Sequence, residues 1–361
     1  MSLGSSQKFN TPRFALVDLL RFVAAISVLG YHLTAFTLPI WGGSSKEIFP
    51  HLSRITKYGA LGVELFFVIS GFVILMSAHG RTISQYIASR ASRIFPAFWV
   101  SVILTSILFT FVWTESKKVS LGQFLMNLTM THDAAGVAHV DGVYWTLWVE
   151  MRFYLIIAFV LLWGINARRI LAISIIWPLL GAVALQQDSH FLFTLIIGGE
   201  APLFAGGMVL FVMFKWGQSL TAWLAFSFNA FYAAYRSTGW LHSTMERSTG
   251  QVIRPEFLII AVLLIFALLA LIVLTPLRTL SAPWMTWLGL FTYPLYLVHE
   301  SFGWWTISLM RPTSPPWLAL CAATVTGLTL AWLILRFVDR PLVPRMRRQL
   351  QAEIERYQRL T

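Results

Sequence analysis

Apolar runs of about twenty residues follow one another along nearly the whole chain and leave it little choice of fold. Ten can be marked: residues 14–37, 58–78, 94–113, 143–163, 170–186, 191–214, 219–235, 256–275, 284–308 and 317–338. A helix needs about 20 residues to cross the hydrocarbon core of a bilayer. No water reaches the backbone there, so each run must satisfy its own amides by coiling. The expected fold class is therefore all-α, a polytopic transmembrane helix bundle of about ten spans. The fifth and seventh runs are the shortest. Only 12% of the 361 residues are charged and 57% are hydrophobic, far from the balance of a soluble domain.

The net charge of +12 invites a nucleic-acid partner. The Lys and Arg residues lie between apolar runs, however, and not on a polar domain. They fit the basic loops that hold one face of a membrane protein against anionic lipid, so the bilayer is the expected partner and nucleic acid is not. With the N-terminus inside, sixteen Lys and Arg fall in cytoplasmic segments and nine in outer loops. That bias favours both termini in the cytoplasm. The expected organisation is a cytoplasmic segment 1–13, a transmembrane domain 14–340 and a basic cytoplasmic tail 341–361. The first run carries Asp18 and Arg21 and lacks a small-residue cleavage site, so it reads as a retained helix. Cys321 is the sole cysteine, which excludes an internal disulfide or a cysteine zinc site.

Polar residues inside such runs are costly and carry the functional information. In "LVDLLRFVAAISVLGYHL", residues 16–33, Arg21 and His32 are eleven positions apart. Eleven steps of about 100° return to within roughly 20° of the start, and they climb roughly 16 Å. Both residues therefore share one helix face at opposite depths, Arg21 in the cytoplasmic half and His32 near the outer end. Asp18, three residues before Arg21, can pair with it. By the same orientation, Glu150 of the fourth run, His299 of the ninth and Glu64 of the second fall in the outer half. Ser70 lies near the middle beside Gly71, which allows close backbone approach. His32, Glu150 and His299 are expected to converge above Arg21. Arg90 and Arg93, one turn apart before Pro96, mark the inner end of that line. Each has a plainer explanation: His299 as an interhelical hydrogen bond, Arg90 and Arg93 as interfacial anchors, Glu150 as a partner of Arg152. His79, His132 and His139 lie in or near loops and are expected to be uninvolved; no metal site is expected.

Five stretches then occur in a telling order: Arg21-x10-His32, "GVELFFVISGF" at 62–72, "RASRIFP" at 90–96, "YWTLWVEMRFY" at 144–154 and "LGLFTYPLYLVH" at 288–299. Together they resemble the acyltransferase 3 family of integral membrane acyltransferases over roughly residues 13–340. The resemblance implies an enzyme of the bacterial inner membrane that takes an acyl group, commonly acetyl, from cytoplasmic acyl-CoA. The acceptor it implies is a hydroxyl of a cell-surface glycan, a lipid-linked saccharide or a metabolite. It also implies functional roles for Arg21, His32, Arg90, Arg93 and Glu150, and points to Trp145, Tyr154 and Tyr293 as supporting positions. The chain departs from the family pattern at Thr146, where serine is common, and in lacking a serine before Tyr293.

The implied chemistry is consistent with the residue types. Arginines at the cytoplasmic mouth can hold CoA phosphates through charge-assisted bonds. Arg21, deeper, can hold the pantetheine arm or polarise the thioester carbonyl. His32 can take the proton of the attacking hydroxyl, as its ordinary pKa near 6.5 suits a general base, with Glu150 expected beside it. A transporter or flippase using the same Arg, Glu and His as a substrate or proton pathway is the competing expectation; the absence of a detectable internal repeat speaks against it.

Overall fold

A computed structural model describes residues 14–360. The expected N-terminal segment 1–13 lies outside them. Helix is the sole regular secondary structure among the described residues. Ten long helices correspond to the ten apolar runs: α1 Ala15–Thr34, α2 Gly62–Ala78, α3 Ile83–Ile107, α4 Trp145–Trp163, α5 Ala167–Gln186, α6 Ala201–Trp216, α7 Leu220–Arg236, α8 Pro255–Leu274, α9 Pro283–Met310 and α10 Pro316–Ile334. An eleventh, α11 Arg340–Leu360, follows α10 through a single π-helical turn at Leu335–Asp339.

Seven stretches are long and apolar enough to cross a bilayer: α1, Leu52–Ala78, Ile83–Val112, Gly142–Trp163, α5, α8 and Pro316–Ile354. The other three expected spans differ for physical reasons. Helices α6 and α7 have 16 and 17 residues, short of a full crossing. Helix α9 has the length, at 28 residues, but carries His299, Glu300 and several hydroxyls on its buried face.

Three boundaries depart from the expected ones. Helix α3 begins eleven residues before the apolar run does, because Thr82 and Gln85 form a reciprocal capping box over its first turn. Arg90 and Arg93 are thus inside a helix and not ahead of one. The sixth run breaks into His190–Leu195 and α6, with Ile197 at φ +55° and Gly198–Gly199 between them. The basic tail is helical and packs along α3.

Packing follows from small residues at the crossings. A Cβ on Gly71 or Gly207 would collide with the opposing backbone, at Phe204 O and Val68 O respectively, so only glycine lets α2 and α6 approach this closely. Phe153, Phe204 and Trp177 stack beside this crossing, with Phe153 and Phe204 centroids 4.1 Å apart. Leu155, Phe159 and Leu162 on α4 and Leu264 and Leu271 on α8 are exposed, an outer surface that water would disfavour and acyl chains would not. Helix α1 lies along α9, α9 along α10, and α2 along α6. Between α1, α2, α3, α4 and α9 runs a seam of polar side chains, which forms the site.

Candidate functional site

One end of the seam is built around His32. Its ring lies 14% exposed between α1 and α9. His299 Nδ1 faces two backbone carbonyls, Leu295 O at 3.2 Å and Tyr296 O at 2.9 Å. Carbonyls only accept, so that nitrogen carries the hydrogen and His299 Nε2 is an acceptor. His32 Nδ1 lies 2.9 Å from His299 Nε2 and therefore donates to it. His32 Nε2 is left as the basic nitrogen. It faces Glu300 Oε2 at 3.3 Å, a contact that is attractive when a proton lies between them. The Trp304 indole donates to His32 O at 3.1 Å and fixes that turn of α1 against α9.

Glu300 is 6% exposed and held from the side by the chain leading into α4. A Cβ at residue 142 would strike its carboxylate, so any larger residue there would push the Glu300 side chain aside. Asp141, fully buried, accepts from Val143 N at 3.2 Å. Burial pushes its carboxyl above the ordinary range, and Ser301 acts against that. Lys117, from the segment joining α3 to α4, bonds Val140 O and lies near both Asp141 and Glu300. A cavity of about 340 Å³ opens onto His32 and Glu300, lined also by Tyr31, Glu64, Trp145 and Tyr296.

One turn deeper lies a narrower cavity of about 50 Å³. Arg21, Ser70, Thr146, Glu150, Tyr293 and Tyr296 line it. Glu150 Oε1 accepts from Tyr154 OH at 2.8 Å and from Ser70 Oγ at 3.2 Å. Thr146 Oγ1 donates to Tyr296 OH at 2.9 Å, so the hydroxyl at this position is in use. Tyr296 and Val63 line both cavities and join them.

The opposite end is dominated by arginine. Arg93 lies within electrostatic reach of Arg21 and Arg90. Arg90 stacks over the Tyr154 ring at 5.8 Å, and its buried Nε has no hydrogen-bond partner. Arg93, Tyr293, Asp339 and Arg340 line a cavity of about 200 Å³. Tyr293, whose hydroxyl donates to Ile94 O at 3.0 Å, also lines the Arg21 cavity. Asp18 packs against α9, where a Cβ on Gly289 would meet its own Cβ at 2.6 Å.

The expected residues thus gather on one seam, with one displacement. Glu150 does not join His32 and His299. It sits a turn further along α4, beside Arg21, and its hydrogen-bond partners are Ser70 and Tyr154. Arg152 bonds Thr194 O and stacks over Trp148 at 5.2 Å, so it does not hold Glu150 either. The carboxylate beside His32 is Glu300, which sequence reasoning passed over. Its signal was present: it is the lone carboxylate of the ninth run and directly follows His299.

His132, Asp133 and His139 form the group among the described residues whose ligand atoms, all within 4.8 Å, suit a metal ion. They already bond one another in a chain, His132 Nε2 to His139 Nδ1 at 2.6 Å and His139 Nε2 to Asp133 at 3.0 Å. Burial, with His139 beside it, lowers the His132 pKa to about 4. None of the three lines the seam cavities described above.

Comparison with known proteins follows the same line. An O-acetyl transferase of Shigella phage Sf6 is 28% identical over 241 residues, covering 62% of this chain and 69% of that protein. The exopolysaccharide production protein ExoZ of Rhizobium meliloti is 26% identical over 321 residues, 80% of this chain and 91% of ExoZ. Peptidoglycan O-acetyltransferase OatA of Listeria monocytogenes is 30% identical over 190 residues, 46% of this chain but 28% of OatA. No solved structure matches the chain. The acyltransferase 3 model, described as an acyltransferase domain, matches residues 14–336, from the start of α1 to just past α10, which takes in the polar seam except Asp339 and Arg340. The chain belongs to the acyltransferase 3 family of membrane acyltransferases.

Proposed function

We propose that the protein is an O-acyltransferase of the bacterial inner membrane that moves an acyl group, acetyl in the simplest case, from acyl-CoA to a sugar hydroxyl. The names of the relatives support this: two are O-acetyltransferases, one of them acting on peptidoglycan, and the third serves exopolysaccharide production. The observation that carries it is the continuity of the seam. Tyr293 links the Arg93 cavity to the Arg21 cavity, and Tyr296 links that to the His32 cavity.

In this proposal both termini and the arginine end face the cytoplasm, in keeping with the charge bias of the loops. Arg90, Arg93 and Arg340 hold the phosphates of CoA, and the unspent Nε of Arg90 is one of the donors. The pantetheine arm runs past Tyr293 and is held by Arg21, which leaves the thioester directed toward His32. Glu150, fixed by Ser70 and Tyr154, orients Arg21 and limits the charge of the three arginines. His32 Nε2 takes the proton from the acceptor hydroxyl as its oxygen attacks the acyl carbon. Glu300 stabilises the imidazolium that forms, and His299 holds the ring in the tautomer that leaves Nε2 free. The carbon–sulfur bond breaks, the carbon–oxygen ester bond forms, and the proton carried by His32 ends on the departing thiolate.

The test uses purified protein in lipid nanodiscs, with water as the substitute acceptor. The parent should bind CoA and slowly hydrolyse acetyl-CoA. His32→Gln keeps a hydrogen-bonding side chain but no useful base. It should bind CoA as the parent does and lose about 10²–10⁴-fold of the hydrolysis. A parent that binds no CoA overturns the proposal. A His32→Gln variant that hydrolyses at the parent rate overturns the role given to His32.

A further inference from the structure

A second chamber adjoins the His32 cavity, and nothing in the acyl-transfer steps above uses it. Its volume is about 510 Å³, within the roughly 300–1,000 Å³ of pockets that take small molecules. It is formed by the ends of α2, α4, α5, α6 and α7 that lie on the histidine side. Glu64, Trp145, Trp240 and Leu241 line both spaces. Trp240 lies across from Trp145, ring centroids 5.8 Å apart at 70°, and is 53% exposed at the mouth. Glu200, Arg236, His190 and Ser237 complete the polar lining.

Two of these side chains have spare hydrogen-bonding capacity. Glu64 Oε2 and Arg236 Nε are both buried atoms without a protein partner. Arg236 is held over the Phe193 ring at 5.4 Å and lies within electrostatic reach of Glu200. Buried polar groups left unsatisfied are costly, so a ligand that satisfies them gains accordingly.

The lining discriminates between ligand classes. A lipid tail would leave Glu64 Oε2 and Arg236 Nε without a partner. A phosphate would face Glu64 and Glu200, which are close enough to act on each other electrostatically. A sugar meets every element: its hydroxyls donate to the carboxylates and accept from Arg236, and its C–H faces lie on the indoles. We infer that this chamber, walled by Glu64, Trp145, Glu200, Arg236 and Trp240, is the binding site for a glycosyl unit of the acceptor. The glycosyl unit enters past Trp240 and presents a hydroxyl toward His32 where Glu64, Trp145 and Trp240 border both spaces. The inference rests on the acyltransferase proposal for its direction, but not for its test.

The test is binding without turnover. Saturation-transfer difference NMR is recorded on the nanodisc protein with the methyl glycosides of glucose, galactose, rhamnose and N-acetylglucosamine. At least one should give a saturable signal. Trp240→Ala and Glu200→Gln should each weaken it about tenfold or more while CoA binding stays intact, which certifies the fold. Trp223→Ala, an exposed tryptophan of α7 outside the chamber lining, should change nothing. If no glycoside saturates, or if the chamber variants bind like the parent, the inference is wrong. CoA binding without glycoside binding would sink this inference and leave the acyltransferase proposal standing. Glycoside binding without CoA binding would do the reverse.

Discussion

The two ends of the seam solve opposite problems with the same helices. At one end, Arg21, Arg90, Arg93 and Arg340 gather cations in excess of the carboxylates Asp18, Glu150 and Asp339. At the other, His32, His299, Glu64, Glu300 and Asp141 gather bases and carboxylates, with Lys117 reaching in from a connecting segment. An excess of guanidinium is a standing attraction for anions. A neutral imidazole backed by a carboxylate is a place to put a proton. Helix α1 contributes one residue to each end. The difference teaches that the bundle is polarised by chemistry, so a substrate with an anionic head and a reactive tail has one sensible way to lie in it.

That contrast can be broken by asking whether the two ends face different compartments. In a chain lacking Cys321, Ser116→Cys and Ser243→Cys lie at the histidine end and Gln218→Cys at the arginine end, all at exposed positions. An impermeant thiol reagent added to intact cells should label the first two fully and the third not at all until lysis. Labelling in the reverse pattern would turn the proposed orientation over, and with it the direction of transfer.

A smaller effect tests the arginine end. Charge-assisted hydrogen bonds are worth about 1.5–3 kcal/mol each, so Arg90→Ala with Arg93→Ala should weaken CoA binding about 100-fold or more. Isothermal titration of the folded variant measures this directly. Unchanged affinity would return both residues to the role of interfacial anchors and dissolve the contrast between the ends.

Smallest is the effect expected of Glu300→Gln. The amide keeps the shape and a hydrogen bond to His32 Nε2 but cannot stabilise an imidazolium. Loss of the carboxylate's charge from that bond predicts a rate of acetyl-CoA hydrolysis lower by about 10–100-fold, with CoA binding unchanged. Full activity in the variant would show that the proton on His32 needs no countercharge.

Much of the fold and part of the site were legible in the residues. Arg21 and His32 could be placed on one face because both lie on a single helix, where period and rise fix relative position. Arg90 and Arg93 could be assigned to one end by their distance along the chain from the apolar run. The partner of His32 was not legible. Glu150 and Glu300 are on different helices, and choosing between them requires the axial offset of α4 and α9 against α1. That offset depends on the three-residue turn Gly142–Tyr144 before α4, and on the Trp304 and His299 contacts that set α9 against α1.

The side chamber was equally hidden, since Glu64, Trp145, Glu200, Arg236 and Trp240 come from four separate stretches and share no spacing. The sequence by itself determined the all-helical membrane fold, the number of apolar runs and the two polar marks on α1. Hydrophobic length and helical period are local properties, written in consecutive residues. Only the tertiary structure decided which carboxylate stands beside His32, where α6 breaks, and that two indoles and two carboxylates wall one cavity. Those depend on how helices slide and rotate against one another, and that is set by packing at crossings such as Gly71 on Gly207, not by any one helix alone.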